Sequence, residues 1–116
     1  MIERRKRRKP DHLYVLYSRI GRKFKIGISA IPETRFQAIR SEVNLTDLQC
    51  LYCKQLSDEK TARYEETRLK VMLHNKRDEW LPWTYENIKR LGRLLSQTPD
   101  GKIKIIISPR MYGSDD

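Results

Sequence analysis

Strand formers gather first over Leu13-Tyr14-Val15-Leu16-Tyr17 and again over Phe24-Lys25-Ile26-Gly27-Ile28. Between them Ser18-Arg19-Ile20-Gly21-Arg22 carries a turn glycine, so the two runs predict an antiparallel hairpin. Alternation sends Phe24, Ile26 and Ile28 to one face and Lys25 and Gly27 to the other. Pro32 then suits the first turn of a helix, and Phe36, Ile39 and Val43 recur at helical spacing as its apolar stripe. Residues 48–56 read as a third strand of imperfect alternation. Ser57 is placed to cap a long helix over residues 58–76, with Ala62, Leu69, Met72 and Leu73 on one face. Glu79-Trp80-Leu81-Pro82-Trp83 interrupts the pattern. Thr84 can cap a third helix striped by Ile88, Leu91 and Leu95, which Pro99-Asp100-Gly101 stops. Finally Ile103, Ile105 and Ile107 alternate with Lys102 and Lys104 as a half-exposed strand.

These elements predict an α+β fold: a small, mostly antiparallel three-stranded sheet flanked by helices, with an extra C-terminal strand. That last strand extends a sheet edge or pairs with a second copy, so monomer and homodimer are both open. A chain of 116 residues suits a single domain. The expected organisation is a basic arm over residues 1–10, one domain over 11–109 and a polar tail over 110–116.

Charge narrows the partners. Lysine and arginine number 25 against 15 acidic residues, a formal net charge of +10. Arg4, Arg5, Lys6, Arg7, Arg8 and Lys9 run consecutively, and their mutual repulsion predicts a disordered arm until it meets an anion. Arg22 and Lys23 add positive charge at the hairpin turn. Such an excess on a small domain points to a polyanionic partner, nucleic acid first and acidic membrane second, with DNA and RNA both open on charge alone. No stretch reaches the ~18 apolar residues of a membrane span, and no apolar run follows the basic N-terminus as in a secretory leader. An intracellular, cytoplasmic setting is expected. Cys50 and Cys53 form a lone C-x-x-C, and His12 and His74 lack finger spacing. On a strand, an offset of three predicts the two thiols on opposite faces, which disfavours a disulfide or a shared metal.

Several polar residues stand in an order of their own. His12-Leu13-Tyr14 lies on the first strand and Lys25-Ile26-Gly27 on the second. Arg35 follows that glycine by eight residues, on the next helix. Glu66 lies on a later helix, between Ala62 and Leu69, and Glu79-Trp80-Leu81 follows it. Over residues 12–83 this series resembles the GIY-YIG nuclease superfamily, most closely its compact phage and bacterial branch. In that family the two tripeptides are usually Gly-Ile-Tyr and Tyr-Ile-Gly. Here His12 replaces the first glycine and Lys25 the second tyrosine, a change common in the branch. Ile39 replaces a frequent histidine, and Asn75 and Asn87 are poor matches for the closing asparagine.

The resemblance implies a metal-dependent endonuclease acting on DNA (duplex or branched), with RNA as the other possible partner, of weak sequence specificity or structure-directed cutting, in a prokaryotic or phage-infected cell. Tyr14 would be the general base and Lys25 and Arg35 the electrostatic stabilisers. Glu66 would hold one Mg²⁺ or Mn²⁺, with Glu65 and Glu79 as the other candidates. The chemistry is coherent, because neighbouring cations favour a phenolate and a planar guanidinium clamps phosphate. Plainer roles stand beside these. Tyr14 is an ordinary strand residue, Lys25 can blunt an edge, Arg35 can lie along the apolar stripe, and Glu66 can pair with Lys70 at i+4. Trp80 and Trp83 read as core anchors, and His74 as a surface residue complementing the helix dipole. The alternative to catalysis is a DNA- or RNA-binding module on the same scaffold, a ribosome-associated basic protein being a third option.

Overall fold

A computed structural model describes residues 9–75 and 80–98, together with the backbone of residues 102 and 103. The hairpin forms as its sequence predicts, from β1 (His12–Ser18) and β2 (Lys23–Ser29). They pair antiparallel with Tyr14 opposite Gly27 and Leu16 opposite Lys25. Helix α1 (Pro32–Val43) begins on its proline and ends at Asn44, whose left-handed φ of 55° stops the helix. Strand β3 (Gln49–Gln55) pairs antiparallel with β1, and helix α2 (Glu59–Met72) follows. A two-residue strand, β4 (Leu81–Pro82), adds to the free edge of β2, and helix α3 (Tyr85–Leu95) completes the body. The last described piece, β5 (Lys102–Ile103), pairs with β3, while Ile105 and Ile107 lie outside the described residues. The fold is α+β, with an antiparallel sheet ordered β4-β2-β1-β3-β5. Five strands replace the expected three plus one, because the segment carrying Leu81 and Pro82 lends β2 a short partner rather than forming only a loop.

The sheet separates two apolar clusters. On one face, Leu13, Val15, Phe24 and Ile26 pack with Ala62, Leu69 and Leu73 of the α2 region and Leu91 and Leu94 of α3. On the other, Tyr14, Leu16 and Cys53 pack with Phe36 and Ile39 of α1 and with Leu48. Strand β1 lies between covered faces, which explains its nearly continuous apolar sequence.

Four local expectations are corrected. The cap of α2 is Asp58, not Ser57: its carboxylate accepts from the Thr61 backbone N–H at 2.7 Å, while Ser57 exchanges only a hydroxyl contact with Thr61. The charged acceptor one residue later captures the helix start. Met72 is half exposed and the helix ends there. Glu65 takes a buried place on the inner face instead. In the hairpin turn, Arg22 rather than Gly21 adopts the left-handed backbone, at φ 50°. Gly21 instead donates its N–H to the Ser18 hydroxyl.

The fourth correction concerns the cysteines. Pairing between β1 and β3 shifts register so that Val15 faces Tyr52 while Leu16 faces Cys50, leaving Leu51 as an extra residue. This bulge reverses the alternation, and both Cys50 and Cys53 pack in the α1-side cluster. The offset of three therefore does not separate them. The Cys50 thiol donates to the Tyr52 carbonyl at 3.3 Å.

Candidate functional site on the α1 face

Alternation predicts Gly27 and Lys25 on one face of the hairpin, and the register places Tyr14 on that face with them. Tyr14 and Gly27 are direct cross-strand partners, and Lys25 lies on the diagonal, about 7–8 Å from Tyr14 between backbones. Gly27 has a steric purpose here. A Cβ at that position would lie 2.5 Å from the Tyr14 Cζ and would overlap its hydroxyl. The Tyr14 ring therefore crosses directly over the bare Gly27 backbone. Phe36 of α1 meets the ring edge-on, with centroids 5.2 Å apart, and Tyr14 is only 2% exposed.

Trp80 closes this side from beyond β2. The ammonium groups of Lys23 and Lys25 sit 5.0 and 5.9 Å from its ring centroid. A ring beside two cations supplies partial compensation for their mutual repulsion. Trp83 lies with the other cluster, stacked on Tyr17 at 4.6 Å and edge-on to Phe24 at 5.9 Å. Both tryptophans pack against the core, as their anchor reading predicts.

Arg35 projects from α1 at the border of its buried stripe, is largely exposed, and reaches Glu42 at 3.7 Å. Such a long surface contact is weak and leaves the guanidinium open to stronger anions. Glu66 is held differently. It belongs to α2, whose buried residues pack the opposite face, and its carboxylate accepts from the Lys70 ammonium at 2.9 Å. Glu65 is buried and takes two hydrogen bonds from Arg68, at 2.6 and 3.1 Å. Arg68 also donates to the Leu94 carbonyl at 3.0 Å, so Glu65 serves to dock α3 onto α2. Close by, burial pushes the Tyr52 phenol above its ordinary pKa; a hydrogen bond with Thr98 opposes the shift, and the Glu65 charge adds to it. Glu79 lies outside the described residues.

A feature that sequence reasoning passed over sits two residues before Tyr14. His12 is buried on the same face, and its Nδ1 lies 2.8 Å from the Asp11 carboxylate. The second Asp11 oxygen accepts from the Gln55 amide at 3.0 Å. The His12 Nε2 is buried without a hydrogen-bond partner among the described residues. An acidic residue directly before a histidine was the available signal.

Of the expected nucleic-acid contacts, Arg22 is exposed at the hairpin turn and Lys23 adjoins it. Lys9 lines a shallow depression with Asp58, Glu59, Lys60 and Arg63 near the start of α2. Arg4, Arg5, Lys6, Arg7 and Arg8 lie outside the described residues.

As a metal site, the described residues contain no cluster of three or more histidine, cysteine or acidic side chains. Glu66 offers a single hard oxygen donor, partly exposed, which suits an ion otherwise held by water and phosphate, as Mg²⁺ commonly is. No helix among the described residues is long and apolar enough to cross a membrane. Comparison with protein-family models, curated proteins and solved structures finds no match to this chain.

Proposed function

We propose that this protein is a GIY-YIG-type endonuclease that hydrolyses phosphodiester bonds in DNA with weak sequence specificity or by structure. The observation that carries the reading is the crossing of Tyr14 over Gly27, with Lys25 on the adjacent diagonal and α1, bearing Arg35, packed on that face. The residue order along the chain agrees with it. Tyr14 serves as the general base, taking a proton from the attacking water at its phenolic oxygen. Lys25 favours the phenolate, and Arg35 exchanges its long contact with Glu42 for a bidentate grip on the phosphate. Glu66 is the candidate that the residue order offers for Mg²⁺ or Mn²⁺; its helix packs across the sheet from Tyr14 and it is paired with Lys70, so its part in the reading rests on the residue order alone. The ion would supply Lewis-acid stabilisation of the phosphoryl oxygens.

The test is incubation of the purified chain with supercoiled and branched DNA in the presence of Mg²⁺ or Mn²⁺. Nicking is expected, with losses of roughly 10²-fold or more for Tyr14→Phe and Arg35→Ala. Glu66→Ala should lose activity, whereas Glu65→Gln should act mainly on stability. Nicking that is indifferent to Arg35→Ala and Glu66→Ala would remove these roles.

A second reading is favoured by the deep burial of Tyr14 and the close Glu66–Lys70 pair. It is a metal-independent nucleic-acid-binding module on the same scaffold. Tight, salt-sensitive binding in chelator with no nicking after prolonged incubation with metal would select it.

A further inference from the structure

Helix α3 presents a solvent face unlike that of α2. On α2 three of the four cations are paired within the helix, Arg63 with Glu59, Arg68 with Glu65 and Lys70 with Glu66, and only Lys60 in its first turn stands exposed without such a pair among the described residues. On α3, Lys89, Arg90 and Arg93 are exposed and make no ion pair among the described residues. Glu86 stands three and four residues before Lys89 and Arg90, a spacing that allows pairing, yet no salt bridge joins it to either. With Glu86 these three cations line a shallow open groove of roughly 280 Å³. Tyr85 is 79% exposed at the head of the same face, with the Lys89 ammonium 5.7 Å from its ring. Gly92 adds a second signal. Nothing lies within 4 Å of where its Cβ would be, so packing does not require a glycine there. A glycine inside a helix costs about 1 kcal/mol relative to alanine, and on an exposed face it lets another surface approach the backbone closely.

We propose that this face of α3 is a second contact for the phosphodiester backbone of duplex DNA, on the side of the sheet opposite Tyr14. The inference rests on the DNA reading above and extends it to a surface that the catalytic residues do not use. Charge complementarity selects the occupant, since Lys89, Arg90 and Arg93 pair with no acidic side chain among the described residues and the chain carries a net +10. An acidic membrane is disfavoured by the helix itself. Interfacial helices bury their apolar face in lipid, whereas Leu91 and Leu94 of α3 are already consumed by the core. Tyr85 and Lys89 would meet phosphate oxygens through hydroxyl and ammonium donors, and Arg90 and Arg93 through their guanidinium groups.

The experiment is fluorescence anisotropy with a labelled DNA duplex in chelator, titrated over a series of salt concentrations. The variant K89Q/R90Q/R93Q keeps good helix formers at all three positions, and its melting curve should match that of the parent. Loss of two or three phosphate contacts should flatten the slope of log K against log salt by about 2–3. A matching curve with the parental slope would overturn the proposal, and so would displacement of the DNA by structured RNA at lower concentration than by unlabelled duplex. If the variant fails to fold, E86Q serves instead, since removing the one acid should tighten binding; unchanged affinity would then overturn it. Nicking is scored separately with metal. A flattened slope in a protein that never nicks supports the α3 contact while removing the nuclease assignment, so the two readings fail independently.

Discussion

Gly27 shows how one missing atom organises the α1 face. Its replacement by alanine forces the Tyr14 ring off the strand, and the ring is held by Phe36 on its other side. Gly27→Ala should destabilise by about 1–3 kcal/mol, measurable by denaturant unfolding, and should lower any Tyr14-dependent activity. Alternation alone, which placed Gly27 and Lys25 on a common face, did not fix the register that adds Tyr14 to it. It did not reveal that Tyr14 would be sealed beneath Phe36, because that depends on where α1 crosses the sheet. The Asp11–His12 pair was hidden for a related reason, since residues adjacent on a strand point apart unless one lies at its very end. Tyr52 gives a pH prediction at the same scale. Burial raises its folded pKa, so the folded chain holds that proton more tightly than the unfolded chain. Stability from this group is complete below about pH 10 and falls as pH rises toward the raised folded value. Thermal melts at alkaline pH should show the decline, reduced in Tyr52→Phe.

Helix ends and strand irregularities set the next level. Helix α2 stops through His74, which adopts a left-handed φ of 59° while the Asn75 N–H reaches back to the Lys70 carbonyl at 2.7 Å. This stop favours glycine, so His74→Gly should raise stability by about 1 kcal/mol in chemical denaturation. His74 was read as a dipole-complementing surface residue; it is exposed, and it also makes the turn. In α3, Gly92→Ala meets open space and should stabilise by about 0.5–1 kcal/mol, and a lowered melting temperature would count against the open geometry. Long elements with strong periodicity were legible, as the buried places of Phe36, Ile39, Leu69 and Leu91 attest. The Leu51 bulge was not. One extra residue in a seven-residue strand leaves no compositional trace, yet it changes which face every later side chain occupies.

At the scale of the molecule, the sheet is a partition with α1 on one side and α2 and α3 on the other. Sequence reasoning reached the hairpin, the helices and their order, because each element announces its apolar stripe locally. It did not assign helices to faces, which explains why Glu66 was grouped with Tyr14 while its helix packs across the sheet from it. Positive charge is spread over both sides, at Lys23 and Lys25 beside Trp80 and at the exposed cations of α3. The sheet is also pinned at one end. The Asp47 carboxylate accepts from the Ser18 hydroxyl and from the Ile20 backbone N–H, each at 2.8 Å, joining the hairpin turn to the segment that leads into β3. Ile20 is itself 78% exposed, at the tip of a loop where amides ordinarily exchange with solvent freely. Its N–H should instead exchange slowly, and Asp47→Ala should release it together with the docking of the third strand. The turn at the outermost tip of the hairpin would then open as one cooperative unit with a strand that begins nearly thirty residues later.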